Sequence, residues 1–288
     1  MAKVSVIIPN YNYARYLAAR IDSVLQQTLQ DIEVILLDDC SADDSLSVMR
    51  QYAAKDKRIK AVIVNDKNSG SPFLQWQRGL ALCEGEYVWI AEADDLCLPA
   101  FLHTAVDLLD THPQAVYAMA ASQMIDEDGK PIPKDYDHWK RRHIRPDTVS
   151  IYDGTCFARQ HQYWRNCVYN ASGVVVRRTA VTAKACEALS MCYSGDWLFW
   201  TEIALGGQVI EIHRRLNLFR FHTGSTTHTG AYKAFVEDVK VLRILQKRLS
   251  VPFCFRCWRI VKLLRRMRRM GFTSGQCRFL KRYILWNR

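Results

Sequence analysis

Three groups of carboxylates in this 288-residue chain stand where chemistry could be done. Asp38 and Asp39 close the apolar run VILLDD, Glu92, Asp94 and Asp95 close YVWIAEADD, and Asp196 stands in SGDWLFW. An apolar strand that ends in carboxylates carries its charge to the rim of a sheet, where open α/β proteins bind ligands. Carboxylates crowded there repel one another unless a cation or a hydrogen-bonding ligand lies between them. A hard divalent ion such as Mg2+ or Mn2+ prefers oxygen ligands, so the pattern suits a site for a metal and a phosphate-bearing nucleotide. A local reading competes: Asp38 and Asp39 also suit turn caps, Asp94 and Asp95 a helix start, and SGDW a helix N-cap.

Hydrophobic periodicity supplies the elements that must position these groups. Apolar runs at 4–8, 32–37, 59–64 and 87–91 predict four strands. Between them Leu17, Ile21, Val24 and Leu25, then Leu46, Met49 and Ala53, then Trp76, Leu80 and Cys83 recur at helical spacing. Residues 9–13 read as a loop, Ser41 as a cap, and 96–110 as a further helix. Strand and helix in alternation imply a mostly parallel sheet covered on both faces, a Rossmann-like α/β layer. No G-x-G-x-x-G follows the first strand, which argues against a dinucleotide. Beyond residue 120 the pattern predicts a hairpin at MIDEDGKPI, a polar basic loop over 134–150, and a strand at SGVVVRR. Helices over 179–189 and 195–204, two strands at VIEIH and LFRFH, and a long helix over 231–249 follow.

The net charge of +11 is lodged at one end, because residues 251–288 hold 11 Lys and Arg and no Asp or Glu. The preceding body is neutral and shows no recognised nucleic-acid module, so no nucleic-acid partner is expected. At 100° per residue Cys257, Ile260, Val261, Leu264 and Met267 share one helix face, and Arg259, Lys262, Arg265, Arg266 and Arg269 the other. Such a helix, with Trp258 near the boundary, suits an anionic membrane surface. A helix packed on the domain with a solvated basic face is the competing reading. No apolar run approaches the roughly 18 residues that span a bilayer, and ten scattered cysteines suit reduced thiols in the cytoplasm. The expectation is a cytoplasmic protein, peripheral on the inner face of the cell membrane.

VSVIIPNYN, LLDDCSADDS, GEYVWIAEADDLCLP, SGDW and FRFHTGSTT, in this order over roughly residues 3 to 228, resemble the family 2 glycosyltransferases, which have a GT-A fold. The resemblance implies a catalytic domain over 1–228, with a nucleotide-binding half to about 120 and an acceptor half after it, followed by a helical region over 229–288. It gives Pro9 and Tyr11 to a wall of the nucleoside pocket, Asp39 to the ring N–H of the base, and Asp38 to the loop or ribose. Asp94 and Asp95 match the D-x-D-like metal segment, where Glu92 replaces the more usual first Asp and is assigned to the nucleotide. Arg220 and His222 match a late segment near the diphosphate, His222 as a further metal ligand, and Arg78 is a candidate phosphate contact. Asp196 takes the place of the general base, with Trp197 lining the acceptor site.

The implied activity is inverting, metal-dependent transfer of a sugar from a nucleotide sugar, UDP-linked by preference, to an acceptor hydroxyl. The implied acceptor is a lipid-linked glycan of a bacterial surface polysaccharide. Two rivals make other demands of the sequence. A sugar nucleotidyltransferase would carry a Gly-rich basic loop where this chain has PNYNYARYL. A noncatalytic nucleotide-sugar-binding protein draws support from Glu92 alone.

Overall fold

A computed structural model describes residues 2–134, 136–137, 144–222 and 230–285. Among these the strands are β1 (Val4–Asn10), β2 (Ile32–Asp38), β3 (Ile59–Val64), β4 (Tyr87–Ile90), β5 (Leu96–Cys97), β6 (Ala115–Ile125), β7 (Val149–Asp153), β8 (Val174–Arg177) and β9 (Gln208–Arg220). The α-helices are α1 (Ala14–Leu25), α2 (Ser45–Lys55), α3 (Pro72–Leu80), α4 (Phe101–Thr111), α5 (Gly154–Phe157), α6 (Ala183–Ala188), α7 (Gly195–Ala204), α8 (Ala231–Arg248), α9 (Phe253–Arg269) and α10 (Ser274–Leu285).

All strands join one sheet in the order β3-β2-β1-β4-β8-β6-β9-β5, with β7 on the other half of β9. The first four are mutually parallel and β6 is parallel to β9, while β8, β5 and β7 run against their neighbours. This is the mostly parallel, helix-flanked architecture expected. Alternating side chains feed two apolar cores, as the period of two in a strand requires. Val4, Val6, Ile8, Val34, Leu36 and Trp89 face α1 and α4 on one side. Ile7, Ile35, Leu37, Val88 and Ile90 face α3, α7 and the C-terminal helices on the other.

The close approach of α3 to the sheet depends on Gly79, where a Cβ would lie 2.5 Å from Ile7 Cγ2. That approach seats Gln75 and Trp76 over the carboxyl ends of β2 and β4.

Several expected elements differ. Pro9 and Asn10 belong to β1, paired with Leu37 and Asp38, and the loop begins only at Tyr11. Residues 96–110 form a short strand before α4, because Leu96 and Cys97 pair with Leu218 and Asn217. VIEIH and the LFR of LFRFH lie on the single strand β9, whose pairing with β6 shifts register around Ala120–Ser122 and so absorbs the polar residues between them, while Phe221 and His222 follow the strand. β7 takes residues 149 and 150 from the expected loop, of which 135 and 138–143 fall outside the described residues. The hairpin at 124–132 is a tight turn closed by Asp126 N donating to Lys130 O, with a bridge from Ile125 to Pro131.

The basic helix is rotated from its expected orientation. α9 buries Arg259, Leu263 and Met267 and leaves Cys257 and Val261 exposed. Leu263 and Met267, with Leu280 and Ile284 of α10, join the core that contains α7 and α8. Among the described residues no helix is long and apolar enough to cross a membrane.

Candidate active site

At the carboxyl end of β2 the two aspartates point to different tasks. Asp38 is buried and laces two loops together: Oδ1 accepts from Asn10 Nδ2 at 3.0 Å and Ser41 Oγ at 2.6 Å, and Oδ2 from Ser41 N at 2.9 Å. The loop after β1 is tied to the same segment by Asn12 N donating to Ser41 Oγ and by Asp43 Oδ2 accepting from Ala14 N. Asp39 faces the loop after β3. Its Oδ1 accepts from Asn65 Nδ2, Ser69 N and Gln75 Nε2 at 2.5, 2.9 and 2.7 Å, and its Oδ2 from Ser69 Oγ at 2.7 Å. Oδ2 therefore keeps acceptor capacity beyond its one bond.

At the end of β4 the acidic loop divides inward and outward. Asp95 is 1% exposed; Oδ2 accepts from Asn170 Nδ2 and Ser172 Oγ, and Oδ1 from Arg220 N. Asp95, expected as a metal ligand, thus turns its oxygens to the strand and loop behind the site. Asp94 stays partly exposed, with Oδ2 at 2.9 Å from His222 Nε2. The Asp94 carboxylate holds the His222 imidazole above its ordinary pKa against the opposing effect of burial. Glu92 Oε1 accepts from Trp76 Nε1 at 2.7 Å. Burial and then the charge of Asp94 push the Glu92 carboxyl up to about 8. Burial, followed by Asp94, raises Asp95 as well.

Arg20 lies behind this loop and was not a candidate from sequence. It is fully buried in α1 with its guanidinium 4.8 Å from the Trp89 ring centroid, and none of its nitrogens has a hydrogen-bond partner among the described residues. Its charge pulls down both Glu92 and Asp95. The sequence signal was an arginine inside the apolar stripe of α1, three residues after Leu17 and one before Ile21.

Asp196 stands in the first turn of α7 and accepts from Asn166 Nδ2 at 2.8 Å. Burial raises its carboxyl to about 6, which would leave it largely ionised and proton-accepting at neutral pH. The segment 166–170 ties this residue to the acidic loop, since Asn166 holds Asp196 and Asn170 holds Asp95. Four residues span at most ~14 Å between the two asparagine Cα atoms, so the segment links the start of α7 to the acidic loop. Helix α3 makes a second tie through consecutive residues: Gln75 binds Asp39, Trp76 binds Glu92, and Gln77 Nε2 donates to Cys186 O beside α6. Trp76 also packs on Phe199 and Trp200 of α7.

Three other candidates make contacts of their own. Trp197 is 4% exposed with Nε1 donating to Gln162 O, and it lines a cavity with Trp164 and Asn166. Arg220 is buried and its guanidinium binds the carbonyls of Asp94, Asp126 and Glu127, leaving it a brace for the loop. Arg78 is exposed in the last turn of α3, and among the described residues no hydrogen bond or ion pair joins it to the acidic residues. Pro9 is buried in β1 and Tyr11 is 45% exposed just after it, beside the Asn10–Asp38 contact. The residues after His222 in FRFHTGSTT, 223–229, lie outside the described residues.

A divalent ion fits one position. Asp94 and His222 offer an oxygen and an imidazole at hydrogen-bond separation, and a cation that takes its other ligands from phosphate and water needs little more from the protein. Among the described residues no three His, Cys, Asp or Glu side chains form a complete cage.

Comparison with known proteins agrees with this architecture. Residues 5–168 match the family model for glycosyl transferase family 2. An uncharacterised glycosyltransferase of Nostoc sp. is 32% identical over 82% of this chain and 70% of its own length. A Bacillus subtilis protein named for teichuronic acid biosynthesis is 30% identical over 46% of this chain, which spans about half of that relative, 51%. The crystal structure of Staphylococcus aureus TarS residues 1–349 with UDP-GlcNAc superposes with a TM-score of 0.64 at 18% identity, covering 84% of this chain and 65% of that one. The chain belongs to glycosyl transferase family 2, and is a glycosyltransferase of GT-A fold with relatives in bacterial polysaccharide synthesis.

Proposed function

We propose that the protein transfers a sugar from a nucleotide sugar, UDP-linked by preference, to an acceptor hydroxyl with inversion at the anomeric carbon. The observation that carries this reading is the 166–170 segment, which holds the half-buried carboxylate Asp196 at one end and the acidic loop at the other. Pro9, Tyr11 and Asp39 border the nucleoside, with Oδ2 of Asp39 accepting from the base, while Asp38 sets the loop that shapes the pocket. Asp94 and His222 hold Mg2+ or Mn2+ at the diphosphate, and the ion offsets the charge that grows on the leaving nucleotide. Glu92, whose Oε1 accepts from Trp76, borders the donor beside Asp94. Asp196 accepts the proton of the acceptor hydroxyl as that oxygen attacks from the face opposite the nucleotide, and a single displacement inverts the centre.

The acceptor in this reading is a lipid-linked glycan of a bacterial surface polysaccharide, and the C-terminal helices bring the enzyme to the inner face of the membrane. Exposed Phe253 and Phe279 (71% and 51%) beside the arginines of α9 and α10 support such a contact. Nucleotide release from UDP-, GDP- and dTDP-sugars, with and without Mn2+ or Mg2+, tests the activity. Asp196→Asn should release ~10²–10⁴-fold less nucleotide in the presence of an acceptor; equal rates in wild type and variant would overturn the assignment.

A further inference from the structure

Beside Asp196 lies a second feature that the acidic site does not use. A cavity of about 350 Å³ opens between residues 164–166, the start of α7 and the inner side of α9. Its charged lining is Arg165, Arg259, Lys262 and Arg266 against one carboxylate, Asp238. That carboxylate is already engaged: Oδ2 accepts from Arg266 at 2.6 Å and Oδ1 from Ser194 Oγ at 2.7 Å.

Arg259 is the informative residue. It is 8% exposed, it lines the cavity, and its Nε is buried with no hydrogen-bond partner among the described residues. An arginine desolvated without an anion is costly, and the cost is recovered when an anion enters. Burial, with Arg266 opposing as a like charge, lowers its pKa to about 10, so it stays cationic at neutral pH. Lys262 stands over the Trp258 ring at 3.7 Å and the Trp164 ring at 5.5 Å, at the mouth of the same cavity. Asn166 completes the wall and is the residue that binds Asp196. An anion held there would sit one side chain away from the carboxylate assigned as base.

We propose that this cavity binds a phosphate group of the acceptor and so positions the hydroxyl that meets Asp196. The part concerning the hydroxyl rests on the reading of Asp196 as base; the binding of phosphate does not. Arginine forks and a lysine recognise a phosphodiester and a lipid diphosphate by the same chemistry. Either source brings charge that Arg165, Arg259 and Lys262, which form no ion pair among the described residues, can neutralise.

The test is tryptophan fluorescence of the full chain in EDTA, titrated with inorganic pyrophosphate, geranyl diphosphate and glycerophosphoglycerol, with sodium chloride matched throughout. Wild type should show a saturable change with at least one probe. Arg259→Gln and Lys262→Gln should each weaken it by about tenfold or more, while Asp94→Asn leaves it unchanged and thereby separates it from the donor site. Lys262 is exposed, so its variant tests the site even if the Arg259 variant unfolds. Preference for geranyl diphosphate would identify a lipid source, and preference for glycerophosphoglycerol a polymer source. No saturable change with any probe, or undiminished binding in Lys262→Gln, would overturn the proposal. Intact phosphate binding in a protein without transferase activity would leave the cavity's assignment standing and remove that of Asp196.

Discussion

The base assignment makes a quantitative statement about Asn166. Its Nδ2 donates to Asp196 Oδ2 at 2.8 Å, a bond that favours the ionised carboxylate and opposes the upward push of burial. Asn166→Ala removes that donor. A hydrogen bond to a charged group contributes about 1.5–3 kcal/mol, which is about one to two pKa units at 1.36 kcal/mol each. Starting from about 6, the carboxyl should then titrate near ~7–8. At pH 6 wild type is about half ionised and the variant about 1–10%, so transfer should be ~5–50-fold slower there and nearly equal by pH 9.5. Water entering the space left by the asparagine would move the effect toward the smaller value. The assay is kcat/KM for acceptor-dependent nucleotide release across pH 5–9.5, at saturating donor and metal. An acid limb at the wild-type position in Asn166→Ala, or one moved to lower pH, would refute the reasoning.

Three further outcomes are expected. Asp196→Asn should be more stable than wild type at pH 7.5, by up to ~3 kcal/mol in urea unfolding, because a carboxyl raised from 3.8 to about 6 in the fold gives stability below the unfolded value that is lost as pH rises through the folded one. The advantage should vanish below pH 4, and a constant difference across pH would contradict it. Asp39→Asn keeps an oxygen toward Asn65, Ser69 N and Gln75 but puts an amide NH2 in place of Oδ2, where the base N–H is assigned, and should cost ~tenfold or more in UDP affinity by calorimetry; unaltered affinity would remove Asp39 from the nucleoside site. Phe253→Ser should reduce sedimentation with vesicles containing anionic lipid while leaving the melting temperature unchanged, since that side chain is 71% exposed. Equal sedimentation would speak against the C-terminal helices as the membrane contact.

The first four strands were legible because their apolar runs are nearly unbroken and end at turn residues. β6 was not: Ala115–Ile125 contains four alanines, and its place follows from pairing with β8 and β9. β9 read as two strands because HRRLN interrupts it, yet a register shift lets one strand continue. In the site, residue type located the carboxylates but could not give their direction. Asp94 and Asp95 are adjacent and alike in sequence, and only the packing of Asn170, Ser172 and β9 turns one inward. Trp197 and Arg220 carried chemistry suited to a sugar or a phosphate, and both are consumed by backbone carbonyls. Asn166 and Asn170 have no local signature, because each acts on a carboxylate that is distant in sequence. The tail's helical period was correct in kind, but its buried stripe is set by contacts with α8 and includes Arg259, which charge alone places on the solvent side.

The central claim is that carboxylates from distant segments surround one nucleotide sugar. A crystal structure of the protein with a UDP-sugar and Mn2+ tests it most directly, with anomalous scattering to locate the ion. The account predicts manganese at Asp94 and His222, the base against Asp39, and the anomeric carbon facing Asp196. Manganese or nucleotide bound away from Asp94 and Asp39, or Asp196 closed off from the sugar by intervening protein, would contradict it.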